Sequence, residues 1–108
     1  MNGKQLLRKL ESLSSKDIDK PVVICGLIYN SSVTGISVNT GIFGGNLDIK
    51  TGSKPITGRE LMESLRSLNK RDIDRLVTVH SSYLVEISVG SSTITLFEEC
   101  YEDFFFFI

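Results

Sequence analysis

The chain is poor in the residues that most often carry chemistry or covalent staples. It has two cysteines, Cys25 and Cys100, and one histidine, His80, in 108 residues. The cysteines lie far apart, and neither has a second Cys or His at ligand spacing, so free thiols are expected rather than a disulfide or a metal site. His80 falls in a strand-like run between Val79 and Ser81 with no acid or nucleophile at a motif spacing. A structural role is expected for it. No long apolar run is present either. The longest uncharged segment, Pro21 to Leu47, is broken throughout by Asn, Ser, Thr and Gly, unlike the roughly 20 apolar residues of a spanning helix. The Met1 end is amphipathic and charged and does not look like a signal peptide. A cytoplasmic location is the resulting expectation.

Charge of one sign is also scarce, the net charge being −1. Residues 1–55 carry seven Lys or Arg against four acids, and residues 56–108 carry five against nine. This gentle polarity is no dense basic stripe, so nucleic acid is not expected as a partner. The Phe cluster sits among acids, whereas single-stranded nucleic acid binders interleave aromatics with cations. The glycine-rich run from Asn39 to Asn46, NTGIFGGN, lacks the Lys-Ser or Lys-Thr that completes a phosphate loop. Asn30-Ser31-Ser32 matches a glycosylation acceptor, which has no use without secretion. These absences argue for a binder without cofactor or metal, and against an enzyme.

What is present is ordinary globular composition, 41% hydrophobic and 23% charged, in a chain long enough to bury roughly two-thirds of its unfolded surface. Within it one segment occurs twice. GKQLLRKLESLSSKDIDKPVVI from Gly3 matches GRELMESLRSLNKRDIDRLVTV from Gly58 without a gap, at an offset of 55 residues. Identities are joined by Lys–Arg, Gln5–Glu60 and Leu7–Met62 exchanges, so the chemistry repeats with the letters. A tandem duplication is the natural reading, with residues 1–55 as the first unit and residues 56–108 as the second within one compact domain.

Each unit opens on a helix. Asn2 and Thr57 are suitable N-caps, and Gln5 and Glu60 stand where they complete capping boxes. Leu6, Leu7, Leu10 and Leu13, then Leu61, Met62, Leu65 and Leu68, form apolar stripes of helical period. Lys4, Arg8, Lys9 and Glu11 take the opposite face of the first helix, where solvation is the simplest reading and an acidic partner the alternative. The Asp17/Asp19 and Asp72/Asp74 pairs invite thoughts of Mg²⁺ or acid–base chemistry. Turn acids accepting backbone N–H bonds, with Ile18 or Ile73 plugging the layer between them, are expected instead, equally in both copies. Strands are expected at Val22–Tyr29, Gly35–Val38 and Leu47–Lys50, separated by turn-rich Asn30–Thr34 and by Asn39–Asn46, with Thr51–Pro55 as linker. In the second unit they are expected at Leu76–His80, Tyr83–Val89 and Thr93–Phe97. The architecture so derived is α+β, two αβββ units related by a pseudo-twofold axis. Each helix would cover an antiparallel sheet, and the two sheets could join edge to edge.

The shared Ile-Ser-Val at 36–38 and 87–89 allows the connections to be compared. The first unit spends four more residues than the second between Ile24 and Ile36, and again between Val38 and Leu47. Extra loop length is where binding tends to sit. Tyr29, Asn30 and Val33 in one connection, and Thr40, Ile42, Phe43 and Asn46 in the other, are the first site candidates. The second group is the chain's end, EECYEDFFFFI, in which Tyr101, Phe104, Phe105 and Phe106 offer aromatic surface to a partner or to a second copy, either as helix or as strand. A plug inside the monomer core is the alternative.

The motif of a cap, then Glu or Gln, then Leu at helical steps, an Asp and a Val-rich strand resembles the opening of short bacteriophage and mobile-element proteins. Thr57, Glu60, Leu61, Leu65, Leu68, Asp74 and Val77 carry it, with Asn2, Gln5, Leu6, Leu10, Leu13, Asp19 and Val22 in the first copy. The resemblance implies an inhibitor or accessory factor that binds a host or defence protein, as anti-CRISPR proteins do. Two other functions compete with it. One is sequestration of a small nucleotide or metabolite by backbone N–H groups of Thr40 to Gly45; the other is a structural phage component that oligomerises.

Overall fold

The computed structural model describes residues 1–25, 30–41, 45–79 and 86–95. Helix α1, Gly3–Glu11, starts at a complete capping box: the Asn2 side chain accepts the Gln5 N–H, and the Gln5 side chain accepts the Asn2 N–H. Strand β1 is Val22–Cys25, β2 is Asn30–Asn39 and β3 is Asn46–Gly52. Helix α2, Gly58–Arg66, opens on the matching box of Thr57 and Glu60. A single-turn helix α3, Lys70–Ile73, follows, then β4, Val77–Thr78, β5, Glu86–Val89, and β6, Ser92–Thr95. The fold is mixed α+β, with three helices and one six-stranded sheet in the order β4-β3-β2-β1-β5-β6 among the described residues.

The arrangement departs from two self-contained αβββ units. The strands of the second half are split between the two edges of a single sheet: β4 lies at one edge, parallel to β3, while β5 and β6 lie at the other, with β5 antiparallel to β1. The cause lies in the backbone bonds at the strand starts. Val22 N–H donates to Ile56 O, and Val77 N–H donates to Met1 O, both at 2.9 Å. Each half therefore begins its first strand against the residue just before the other half's helix cap. At the same places Gly3 N–H donates to Arg75 O at 3.1 Å and Gly58 N–H donates to Lys20 O at 3.0 Å.

One face of the sheet is apolar and covered. Leu6 and Leu10 from α1 and Leu61, Met62 and Leu65 from α2 pack with Ile18 and the alternate strand residues Val22, Ile24, Val33, Leu47, Ile49, Val77, Ile87, Val89 and Ile94. Each such side chain removed from water stabilises the fold by about 1.5–3 kcal/mol, so this layer dominates. Between Val33 and Gly35 the β2–β3 register shifts. This bulge keeps both Val33 and Ile36 on the core side although they are three residues apart. The run Asn30–Thr34, expected as a turn, is therefore strand: residues 30–32 pair with Cys25, Ile24 and Val23. Their turn-favouring composition yields to ladder bonds and to the burial of Val33. Ser53 to Pro55 are exposed, as a linker should be, but Thr51 and Gly52 still belong to β3.

Candidate functional site

The connection from β2 to β3 is the best-defined of the surfaces marked out by the sequence. The pairs Asn39–Asn46 and Val89–Ser92 close the β2–β3 and β5–β6 hairpins, so six residues join the first pair and two join the second. The sequence comparison matched Leu47 with Ile94. The pairing instead sets Ile49 opposite Ile36 and Ile94 opposite Ile87; the first hairpin adds the pair Asn39–Asn46 to its ladder, and its loop is four residues longer than the second. Asn39, Thr40, Gly41 and Gly45 are exposed, and Gly45 has φ 72° in the left-handed region. The base of the connection is held by the second half of the chain. The Asn46 amide donates to Thr78 Oγ1, and Leu47 N–H donates to Leu76 O at 2.8 Å. Beside Gly45 lies the Arg75 guanidinium, which is largely buried and donates to Asp72 Oδ1 at 3.0 Å. The result is an exposed backbone-rich tip on an anchored base.

The other candidates fare differently. Asn30 is exposed at the start of β2, whereas Val33 is fully buried in the core and presents nothing to a partner. Tyr29, Ile42, Phe43, Tyr101, Phe104, Phe105 and Phe106 lie outside the described residues, as do His80 and Cys100. Cys25 is a half-buried free thiol.

The paired acids are structural, but not equally so. Asp17 is buried, and its carboxylate accepts the Ser91 N–H at 3.2 Å, the Ser91 hydroxyl at 3.0 and 3.1 Å, and the Ser92 hydroxyl at 2.9 Å. The Ser91 backbone bond, followed by the Ser92 and Ser91 hydroxyls, holds this carboxyl below the usual range. Asp17 thus clamps the β5–β6 turn, where Gly90 has φ 64° and a Cβ would stand 2.5 Å from Asp17 Oδ1. Its counterpart Asp72 instead receives the Arg75 guanidinium three residues on. Asp19 pairs with Arg59 at 2.7 Å, which lowers the Asp19 carboxyl and raises the guanidinium, while Asp74 is an exposed C-cap. The expectation that both copies use these acids alike is therefore corrected, because Asp17 bonds its hairpin turn directly, whereas the Arg75 guanidinium stands between Asp72 and the β2–β3 connection at Gly45. The Gly90-Ser91-Ser92 turn was legible in the sequence; its partner 74 residues away was not.

Among the described residues, no group of three His, Cys, Asp or Glu side chains could hold a metal ion, and no buried side-chain polar atom lacks a partner. No described helix is long and apolar enough to cross a membrane. The fold class is thus a small α+β protein with one mixed sheet. No family model, curated protein or solved structure matches the chain.

Proposed function

We propose that this chain is a non-enzymatic protein-binding module that arose by tandem duplication. We read it as a phage or mobile-element inhibitor of a bacterial host or defence machine. The carrying observation is the β2–β3 hairpin, in which the exposed Thr40, Gly41 and Gly45 stand on a base fixed by Asn46, Thr78 and Leu76. A binding loop needs that combination of open backbone and rigid support. Three of the four acids in the repeated pairs are engaged within the chain: Asp17 with Ser91 and Ser92, Asp19 with Arg59, and Asp72 with Arg75.

The duplication reading is supported by hydrogen bonds that recur at the sequence offset of 55 residues. Gly3 to Arg75 and Gly58 to Lys20 form one such couple, and Val22 to Ile56 and Val77 to Met1 form another. Glu11 and Arg66, at equivalent positions of the two helices, pair with each other at 2.9 Å, which is the arrangement a pseudo-twofold axis between α1 and α2 creates.

The test is affinity capture from bacterial lysate with the full chain and with a variant whose residues 40–45 are replaced by Asn-Gly. Recovery of one identified protein by the natural chain and its loss with the variant is expected. Equal recovery by both removes the hairpin from the site. A rise in melting temperature with a nucleotide, by mass action, would replace protein binding by ligand sequestration.

A further inference from the structure

We propose that the exposed face shared by α1 and α3 docks the acidic segment 98–103 of a second copy of this chain. Lys4, Arg8 and Lys9 on α1 and Lys70 and Arg71 on α3 are all exposed, and none is in an ion pair among the described residues. The two helices are neighbours, joined where Gly3 N–H meets Arg75 O. Of the acids nearby, Glu11 is taken by Arg66 and Asp72 by Arg75, which leaves Asp74 at the end of α3 as an exposed acid among five cations.

Helix stability accounts for only some of these cations. Arg8 and Lys9 lie in the last turn of α1, where positive charge is favourable, whereas Lys4 lies in its first turn, where it is not, and Lys70 and Arg71 belong to a helix of a single turn. The scaffold demands a cation at only two of the five places, Lys4 and Arg71 being matched by Arg59 and Lys16. At the offset of 55 residues, Arg8, Lys9 and Lys70 are matched by Glu63, Ser64 and Ser15. Beside the cations stands Leu76, the one large hydrophobic residue that is well exposed among those described, at 57%, and bridged to Asn2.

The occupant is argued from complementarity. Residues 98–103 place Glu98, Glu99, Glu102 and Asp103 immediately before four consecutive Phe, matching a cationic face with an apolar residue at its rim. A second copy is favoured by the strand order. The segment follows β6 at one edge of the sheet, whereas β4 and the adjoining α3 are at the other, five strand steps away. Five steps are about 24 Å along the sheet, and the three residues from Thr95 to Glu98 reach at most about 11 Å. Glu98 and Glu99 therefore cannot reach the β4 edge of their own chain. Reciprocal docking gives an isologous dimer with two copies of the contact. The proposal stands independently of what the β2–β3 hairpin binds.

The experiment is sedimentation velocity of the full chain over a concentration series, at about 50 mM and about 500 mM salt. A dimer that weakens at the higher salt is expected. Arg8→Glu with Arg71→Glu should weaken association at low salt by about tenfold or more, and adding Glu98→Lys with Glu99→Lys to the same chain should restore it. The circular dichroism of each variant should stay native; if charge reversal disturbs it, Lys4→Gln with Lys70→Gln gives the same reading. A monomer at both salts, a dimer indifferent to reversal of the face, failure of the compensating pair to restore association, or association abolished by nuclease would each overturn the proposal.

Discussion

At the scale of single residues, Asp17 concentrates the most structure in one side chain. Its carboxylate takes up the turn that joins β5 to β6, and those bonds depress its titration below the ordinary value of 3.8. A depressed carboxyl contributes stability that is complete above the unfolded-state value and lost as pH falls through the lower folded-state one. Asp17→Asn should therefore melt below the natural protein at pH 7, and the gap should close as pH falls below about 3.8. Thermal melts across pH 2 to 7 check this; a gap independent of pH would mean that the charge is not what holds the turn.

The twin glycines at the helix starts give a second residue-scale prediction. In an open helix, replacing Gly by Ala gains about 0.5–1 kcal/mol. Here a Cβ on Gly58 would stand 2.8 Å from Val89 Cγ1 and 2.9 Å from Ile18 O, and one on Gly3 would stand 2.7 Å from Ile73 O. Crowding against a carbonyl should reverse the sign. Gly3→Ala and Gly58→Ala are each expected to destabilise by about 1–3 kcal/mol in urea denaturation.

At the scale of elements, the helices were legible because each is defined locally. An N-cap, its partner three residues on and a Leu stripe all lie within a dozen positions, and both capping boxes form. Asn2→Ala should cost about 1 kcal/mol, whereas Leu10→Ala and Leu65→Ala, at fully buried positions, should each cost about 2–5 kcal/mol. Unequal losses at the two leucines would show that the halves of the core relax differently. The strands were less legible, because pairing is decided between distant segments. Asn30-Ser31-Ser32 has turn composition but lies in a ladder with β1, and the bulge after Val33 breaks the period that would have identified it. The parallel pairing of β3 with β4 left no local trace at all. For the same reason, the exposed tip at Thr40 could be read from the loop lengths, while its anchor on Thr78 could not.

At the scale of the whole molecule, the two halves complete each other. Sheet partners and helix starts are exchanged across residue 55: β1 lies against β5, β3 against β4, and Gly3 and Gly58 each bond to the other half. Fragments 1–55 and 56–108 should accordingly be unfolded alone and regain the native circular dichroism spectrum when mixed. Either fragment folding by itself would show that its own contacts suffice. The exposed Glu11–Arg66 pair, by contrast, should show a coupling below about 1 kcal/mol in a double-mutant cycle.

The pairing of Val22 with Val89 also bears on how the protein is made. Strand β1 finds one of its two neighbours, β2, within a few residues, but the other only among residues synthesised 67 positions later. Until β5 emerges, one edge of β1 stays open in the nascent chain, so the sheet cannot close before residues 86–89 have been made.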